Sequence, residues 1–141
     1  MSQDYIEQYN HWLASVDPEE KIELAALAAD EKELKERFSL PLAFGTAGMR
    51  GTIGLGTFRM NLYTVARATA GLADYIAEQG EEAMRRGVVI SYDTRRMSFE
   101  FAMEAARVLA YHKIRRISSR TSAPCPSAPS AWAICTPSRA L

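Results

Sequence analysis

The chain has 141 residues, 48% of them hydrophobic, 24% charged and 9% aromatic, with 17 basic side chains balancing 17 acidic ones; that is the size of one ordinary globular domain. Zero net charge and a pI near 6.7 exclude the strong positive field that drives binding to nucleic acid or to an anionic membrane. No apolar run approaches the roughly 18 to 20 residues needed to cross a bilayer, and residues 1–10 are polar and acidic, so the expected compartment is the cytoplasm.

Two helical segments come first. Asp17 precedes Pro18, and Glu20 follows three residues after Asp17, which is the pattern of an N-cap, a proline at the first helical position and a capping-box partner. The helix starting there takes Ile22, Ala25, Ala26, Ala29 and later Leu34 as its apolar side. Glu19, Lys21, Glu23, Lys32, Glu33, Lys35 and Glu36 form its solvated side. Trp12, Leu13 and Phe38 read as packing anchors.

In Phe44-Gly45-Thr46-Ala47-Gly48-Met49-Arg50-Gly51, followed by Thr52-Ile53-Gly54-Leu55-Gly56, the twelve positions from Gly45 to Gly56 hold five glycines, too dense for a core strand. Glycine allows a ligand to approach backbone N–H groups closely, and Arg50 adds a fork of donors that matches phosphate geometry. Spacing alone leaves two readings open: a phosphate-binding loop, or a flexible glycine-rich hairpin carrying an exposed arginine. The segment matches neither the ATPase nor the dinucleotide glycine pattern.

Asn61 then caps a helix with apolar positions Leu62, Val65, Ala66, Thr69, Leu72, Ala73 and Ile76, which Gly80 ends. Gly87 to Tyr92 is a short apolar run that fits a strand covered on both faces. Asp93 follows at its carboxyl end, where ligands gather in open α/β sheets, so Asp93-Thr94-Arg95-Arg96-Met97-Ser98 is a second candidate site. A purely structural role is also open: Asp93 caps the turn, Arg95 pairs with it, and Ser98 caps a helix through Ala102, Ala105, Ala106 and Leu109.

The composition breaks near Arg116. Residues 117–141 hold four of the six prolines, both cysteines, six serines and no acidic residue or glycine. Such a segment buries too little apolar surface to offset its ordering entropy and is expected to be unstructured. Cys125 and Cys135 lack partners at zinc-like spacing and read as free thiols, with no metal site.

FGTAGMRG, the Arg59-Met60-Asn61 ending and VVISYDTRRMS, in this order and at these intervals, resemble the first domain of the α-D-phosphohexomutases, the phosphoglucomutase/phosphomannomutase family. Within it the chain looks most like the phosphoglucomutase-2 and phosphopentomutase branch. The resemblance implies an α/β fold: a partial three-layer α/β/α domain I over residues 43–116, with an N-terminal helical extension over 1–42 and the frame-altered tail over 117–141. It also implies a sugar-phosphate substrate, hexose or pentose, and transfer of a phosphoryl group through a phosphorylated serine with magnesium. By resemblance, Thr46, Ala47, Gly48 and Arg50 match the first active-site loop, with Arg50 near the phosphoserine, and Asp93 and Arg95 match a supporting turn. Ala47 departs from the Thr-Ser form of other branches, which removes a hydroxyl.

No serine loop of the T-A-S-H-N-P type, no D-G-D-x-D-R metal loop and no G-E-E-x-G sugar loop occurs in these residues, so no cofactor and no turnover are expected of this chain alone. Read one base earlier, TCN serine codons become Phe, Leu, Ile or Val codons, and cysteine and tryptophan codons become Leu, Met or Val codons. From Arg116 onward the tail can then be read as AYLFENLRPLPLGSFSMGYLHAIAGI, which resembles the family, so a frameshift near Arg115 is expected. Loss of the strands that would follow Val88 to Tyr92 predicts an exposed sheet edge and self-association. The other functions weighed are a sugar-phosphate-binding or regulatory protein that docks on an intact mutase, and a nucleic-acid binder using its arginine pairs, which net neutrality disfavours.

Overall fold

A computed structural model describes residues 4–45, 48–120 and 132–135. They fall into two compact units, one within residues 1–61 and the other taking in 62–141.

The first unit, residues 1–45 and 49–61, holds three helices, α1 (Asp4–Ser15), α2 (Pro18–Leu27) and α3 (Glu31–Phe38), and the short strand β1 (Phe44–Gly45); of the two-residue strand β2 (Gly48–Met49), Met49 belongs to this unit and Gly48 to the second. Tyr5 and Tyr9, four residues apart on α1, and Val16 just past its end are buried with Leu24, Leu34, Phe38 and Leu55. Phe38 is the centre of this core: the rings of Tyr9 and Trp12 meet it edge-on, with centroids 5.6 and 5.8 Å away. Burying the phenol of Tyr9 is tolerable because its hydroxyl donates to the Leu24 carbonyl at 3.0 Å.

Pro18 begins α2 as expected, and Asp17 is extended at the N-cap, but the Asp17 side chain makes no capping hydrogen bond. The expected apolar side of this helix is corrected. Leu24 is fully buried, whereas Ile22 is 74% exposed. The reason is a break at residues 28–30 that divides the expected second segment in two, so no stripe runs from Ile22 through Ala29 to Leu34. Asp30 accepts from the Glu33 N–H at 3.1 Å and starts α3 there.

The second unit contains α4 (Leu62–Glu78), α5 (Glu81–Arg86), β3 (Val88–Tyr92), α6 (Ser98–Tyr111), β4 (Arg116–Arg120) and β5 (Trp132–Cys135). Val65, Thr69, Ala73 and Ile76 bury one stripe of α4, and Phe101, Ala102, Ala105 and Leu109 bury one stripe of α6. The two helices pack together, and α6 also covers the sheet. Strand order is β4-β3-β5. β3 and β4 run parallel, joined through α6, with Val88 opposite Arg116 and Tyr92 opposite Arg120. β5 is antiparallel on the other side, with Val89 opposite Cys135.

This sheet corrects two expectations. The tail is not unstructured throughout, because 116–120 and 132–135 are strands, and β3 has a strand on each side instead of an open edge. The physical cause is the row of unpaired N–H and C=O groups along β3, which pairs with any extended segment brought alongside it. Serine-rich sequence suffices for that pairing, since backbone groups make it. Cys125 lies outside the described residues.

Gly87 joins α5 to β3 with φ +80°, and a Cβ at that position would fall on the Arg115 carbonyl. Only glycine lets these two chain segments touch.

Candidate functional site

The glycine-rich loop is built on the C-terminal end of α3. Thr57 Oγ1 donates to the carbonyls of Arg37 and Leu40 at 3.2 and 3.0 Å, and the Phe58 N–H donates to the Arg37 carbonyl at 2.9 Å. Asn61 Nδ2 donates to the carbonyls of Gly54 and Gly56 at 2.9 and 3.0 Å. The return of the chain is closed by the Met60 N–H on the Thr52 carbonyl at 2.8 Å. Gly56, at φ +124°, lies so close that a Cβ would sit 2.8 Å from the Cβ of Arg37. The many glycines thus serve a folded, hydrogen-bonded loop.

Alternation along this loop sets the position of Arg50. Met49 is buried, and Arg50 beside it is exposed. Gly48 precedes them with φ +94°, a left-handed conformation that a side chain would strain. Thr46 and Ala47 lie outside the described residues.

The other two arginines of this unit are committed to structure. Arg37 pairs with Glu33 at 2.8 Å and donates to the Leu55 carbonyl, and Arg59 pairs with Glu33 at 3.1 Å and Glu36 at 2.9 Å. Hydrogen bonding from Arg37 holds the Glu33 carboxyl below the ordinary carboxylate range. Among the described residues Arg50 has no ion-pair partner. Among the described arginines of this unit, its guanidinium is the one that no carboxylate engages.

The second segment is a closed turn after β3. Asp93 is buried, with Oδ1 accepting from the Arg95 N–H at 2.9 Å and Oδ2 accepting from Arg95 Nε at 2.8 Å. The Asp93 N–H donates to Ser98 Oγ at 3.0 Å. The Arg95 side chain is the main cause of a lowered Asp93 carboxyl pKa, prevailing over the burial that opposes it. Ser98 is the first helical residue and Met97, at φ +63°, is the N-cap, so the expected cap is displaced by one residue.

Asp93 and Arg95 are thus brought together, as the structural reading of the turn expected. Arg50 belongs to the other unit, and each segment stands on its own geometry.

No three His, Cys, Asp or Glu side chains come together among the described residues, and Asp93 is already occupied by Arg95. No helix among them is long and apolar enough to cross a membrane.

The sequence model described as Phosphoglucomutase/phosphomannomutase, alpha/beta/alpha domain I, matches residues 41–134, a span that contains the glycine-rich loop, β3, the Asp93 turn and α6. The chain belongs to the phosphoglucomutase/phosphomannomutase family. Among curated proteins, the phosphoglucomutases of Staphylococcus aureus strains USA300, NCTC 8325 / PS 47 and COL are each 45% identical over 82 residues, or 58% of this chain. The match covers 14% of each relative, so the chain corresponds to a small part of their length. No solved structure matches it.

Two features of this phosphoglucomutase/phosphomannomutase domain were missed by sequence reasoning. Glu33 and Glu36 read locally as solvated charges, yet they hold Arg59 across more than twenty residues of sequence. Phe101, the largest buried side chain of α6, was passed over beside its alanines, although it lies four residues before Ala105 on the same stripe.

Proposed function

We propose that this chain supplies the first active-site loop of a sugar-phosphate mutase, an intramolecular phosphotransferase of carbohydrate metabolism, and does not catalyse the transfer by itself. The observation that carries this reading is the exposed Arg50 guanidinium, without an ion-pair partner among the described residues, on a glycine-rich loop inside the family match. Phosphoryl transfer spreads negative charge over three oxygens, and a preorganised guanidinium stabilises that charge. Arg50 takes this role beside the phosphoserine, and Thr46, Ala47 and Gly48 are the proposed substrate-phosphate residues. Asp93 and Arg95 act as support, since each already satisfies the other's charge.

A hexose or pentose phosphate is the substrate of the intact cytoplasmic enzyme, with magnesium supplied through residues that these 141 do not include. The tail beyond Arg115 arises from a frameshift. Resequencing the gene through the codons for Lys113 to Leu141 tests that: a neighbouring frame encoding a serine loop is expected, and its absence overturns the frameshift. A coupled assay of the pure chain with glucose 1-phosphate, the bisphosphate activator and magnesium tests the rest. No turnover is expected, and turnover proportional to protein concentration overturns the reading.

A further inference from the structure

At the other end of β3 from Asp93, the second unit has a cavity of about 500 Å³, within the size range of small-molecule sites. Four cations line it, Arg85, Lys113, Arg115 and Arg116, and no carboxylate does so among the described residues. Arg85 is engaged by Glu82 at 2.8 Å. Lys113, Arg115 and Arg116 have no ion-pair partner among the described residues.

The walls are fixed by backbone bonds. The Arg115 N–H donates to the Met84 carbonyl at 3.1 Å, and the Arg115 carbonyl accepts from the Val88 N–H at 2.8 Å, which ties the end of α5 to the starts of β3 and β4. Lys113 leaves α6 with φ +58°, and the Ile114 N–H returns to the Leu109 carbonyl at 2.9 Å. Buried Ile114 and half-buried Met84 give the cavity an apolar floor.

The charges do not cancel. The C-terminal ends of α5 and α6 each contribute at most about half a negative elementary charge, and Glu82 contributes one more, so about two of the four positive charges remain unbalanced. Compensation of the helix ends therefore accounts for only part of this cluster.

We propose that this cavity binds a small phosphate compound carrying two or more negative charges, gripped by Lys113, Arg115 and Arg116. The test is titration of inorganic pyrophosphate into the full chain at physiological ionic strength, followed by calorimetry and by backbone amide spectra. Saturable binding is expected, with shift changes centred on residues 84–85 and 113–116. Lys113→Glu and Arg116→Glu each weaken binding about tenfold, the scale of one lost charge-assisted hydrogen bond. Arg67→Glu makes the same charge change on an exposed position of α4 outside the cavity and leaves affinity within about twofold. All three positions are exposed, and circular dichroism confirms folding of each variant. Absence of saturable binding to the parent chain, shift changes centred elsewhere, or equal weakening by Arg67→Glu overturns the site.

Discussion

One carboxylate, Asp93, holds Arg95 at two points, accepting from its backbone N–H at 2.9 Å and from its Nε at 2.8 Å. The backbone bond fixes the turn and the side-chain bond neutralises a charge that burial would otherwise penalise. Asp93→Ala removes both acceptors and leaves the turn amide without its partner. The expected loss is about 1 to 3 kcal/mol, discounted toward the lower end because Arg95 is part-exposed, and Asp93→Asn loses less. Urea unfolding of the three proteins checks the order.

Acid acts on two lowered carboxyls, Asp93 and Glu33. A carboxyl whose folded pKa lies below its unfolded value stabilises the fold at pH above the unfolded value, near about 4, and that contribution is lost as pH falls through the folded pKa. The urea midpoint should therefore hold between neutrality and pH about 5 and fall below pH about 4. In Asp93→Asn the fall attributable to the second unit should be shallower.

Phe38 carries the core of the first unit, so Phe38→Ala is expected to cost about 3 to 5 kcal/mol, near the whole stability of a small domain. Trp12 touches that ring and reports its loss. A red-shifted tryptophan emission at neutral pH is the expected readout; unchanged emission and midpoint would remove Phe38 from the centre of the core.

Alanine should have opposite effects at two glycines. Gly71 is inside α4 with open space around it, so Gly71→Ala stabilises by about 0.5 to 1 kcal/mol. Gly56 combines φ +124° with a collision against Arg37, so Gly56→Ala destabilises by about 1 to 3 kcal/mol. Thermal melts decide the signs.

Arginines of the first unit should divide by role. Arg50→Ala leaves stability within about 0.5 kcal/mol, as for an exposed side chain without a partner, and its effect appears in sugar-phosphate affinity. Arg59→Ala takes one of two arginine partners from Glu33, which keeps Arg37, and the partner of half-exposed Glu36, and costs about 1 kcal/mol, with no direct part in binding.

Local signals carried much of this fold in the sequence. Pro18 marked the start of α2, the spacing Val65, Thr69, Ala73 and Ile76 marked the buried stripe of α4, and the apolar run to Tyr92 marked β3. Asp93 and Arg95, two residues apart, were readable as a bonded turn. What escaped depends on residues distant in the chain. Glu33 gives no sign of Arg59, and Ser118 gives no sign that its backbone will lie beside Ile90. Ile22 looked like core because periodicity was carried through the break before Asp30, whose capping role competes with helix continuation. Arg50 was legible as a donor on a glycine loop and, in the hairpin reading, as an exposed arginine, whereas the burial of Met49 beside it had no local signal.

The parallel pairing of β3 with β4 has a kinetic consequence. These strands cannot meet until the intervening chain has turned back through α6, so the sheet's first ladder closes late and across a long loop. The first unit has neighbouring helices joined by breaks of a few residues and pays far less closure entropy. A pulse of deuterium during refolding should therefore mark the amides of α1 and α3 as protected earlier than those of β3, with Val88 and Ile90 among the slowest.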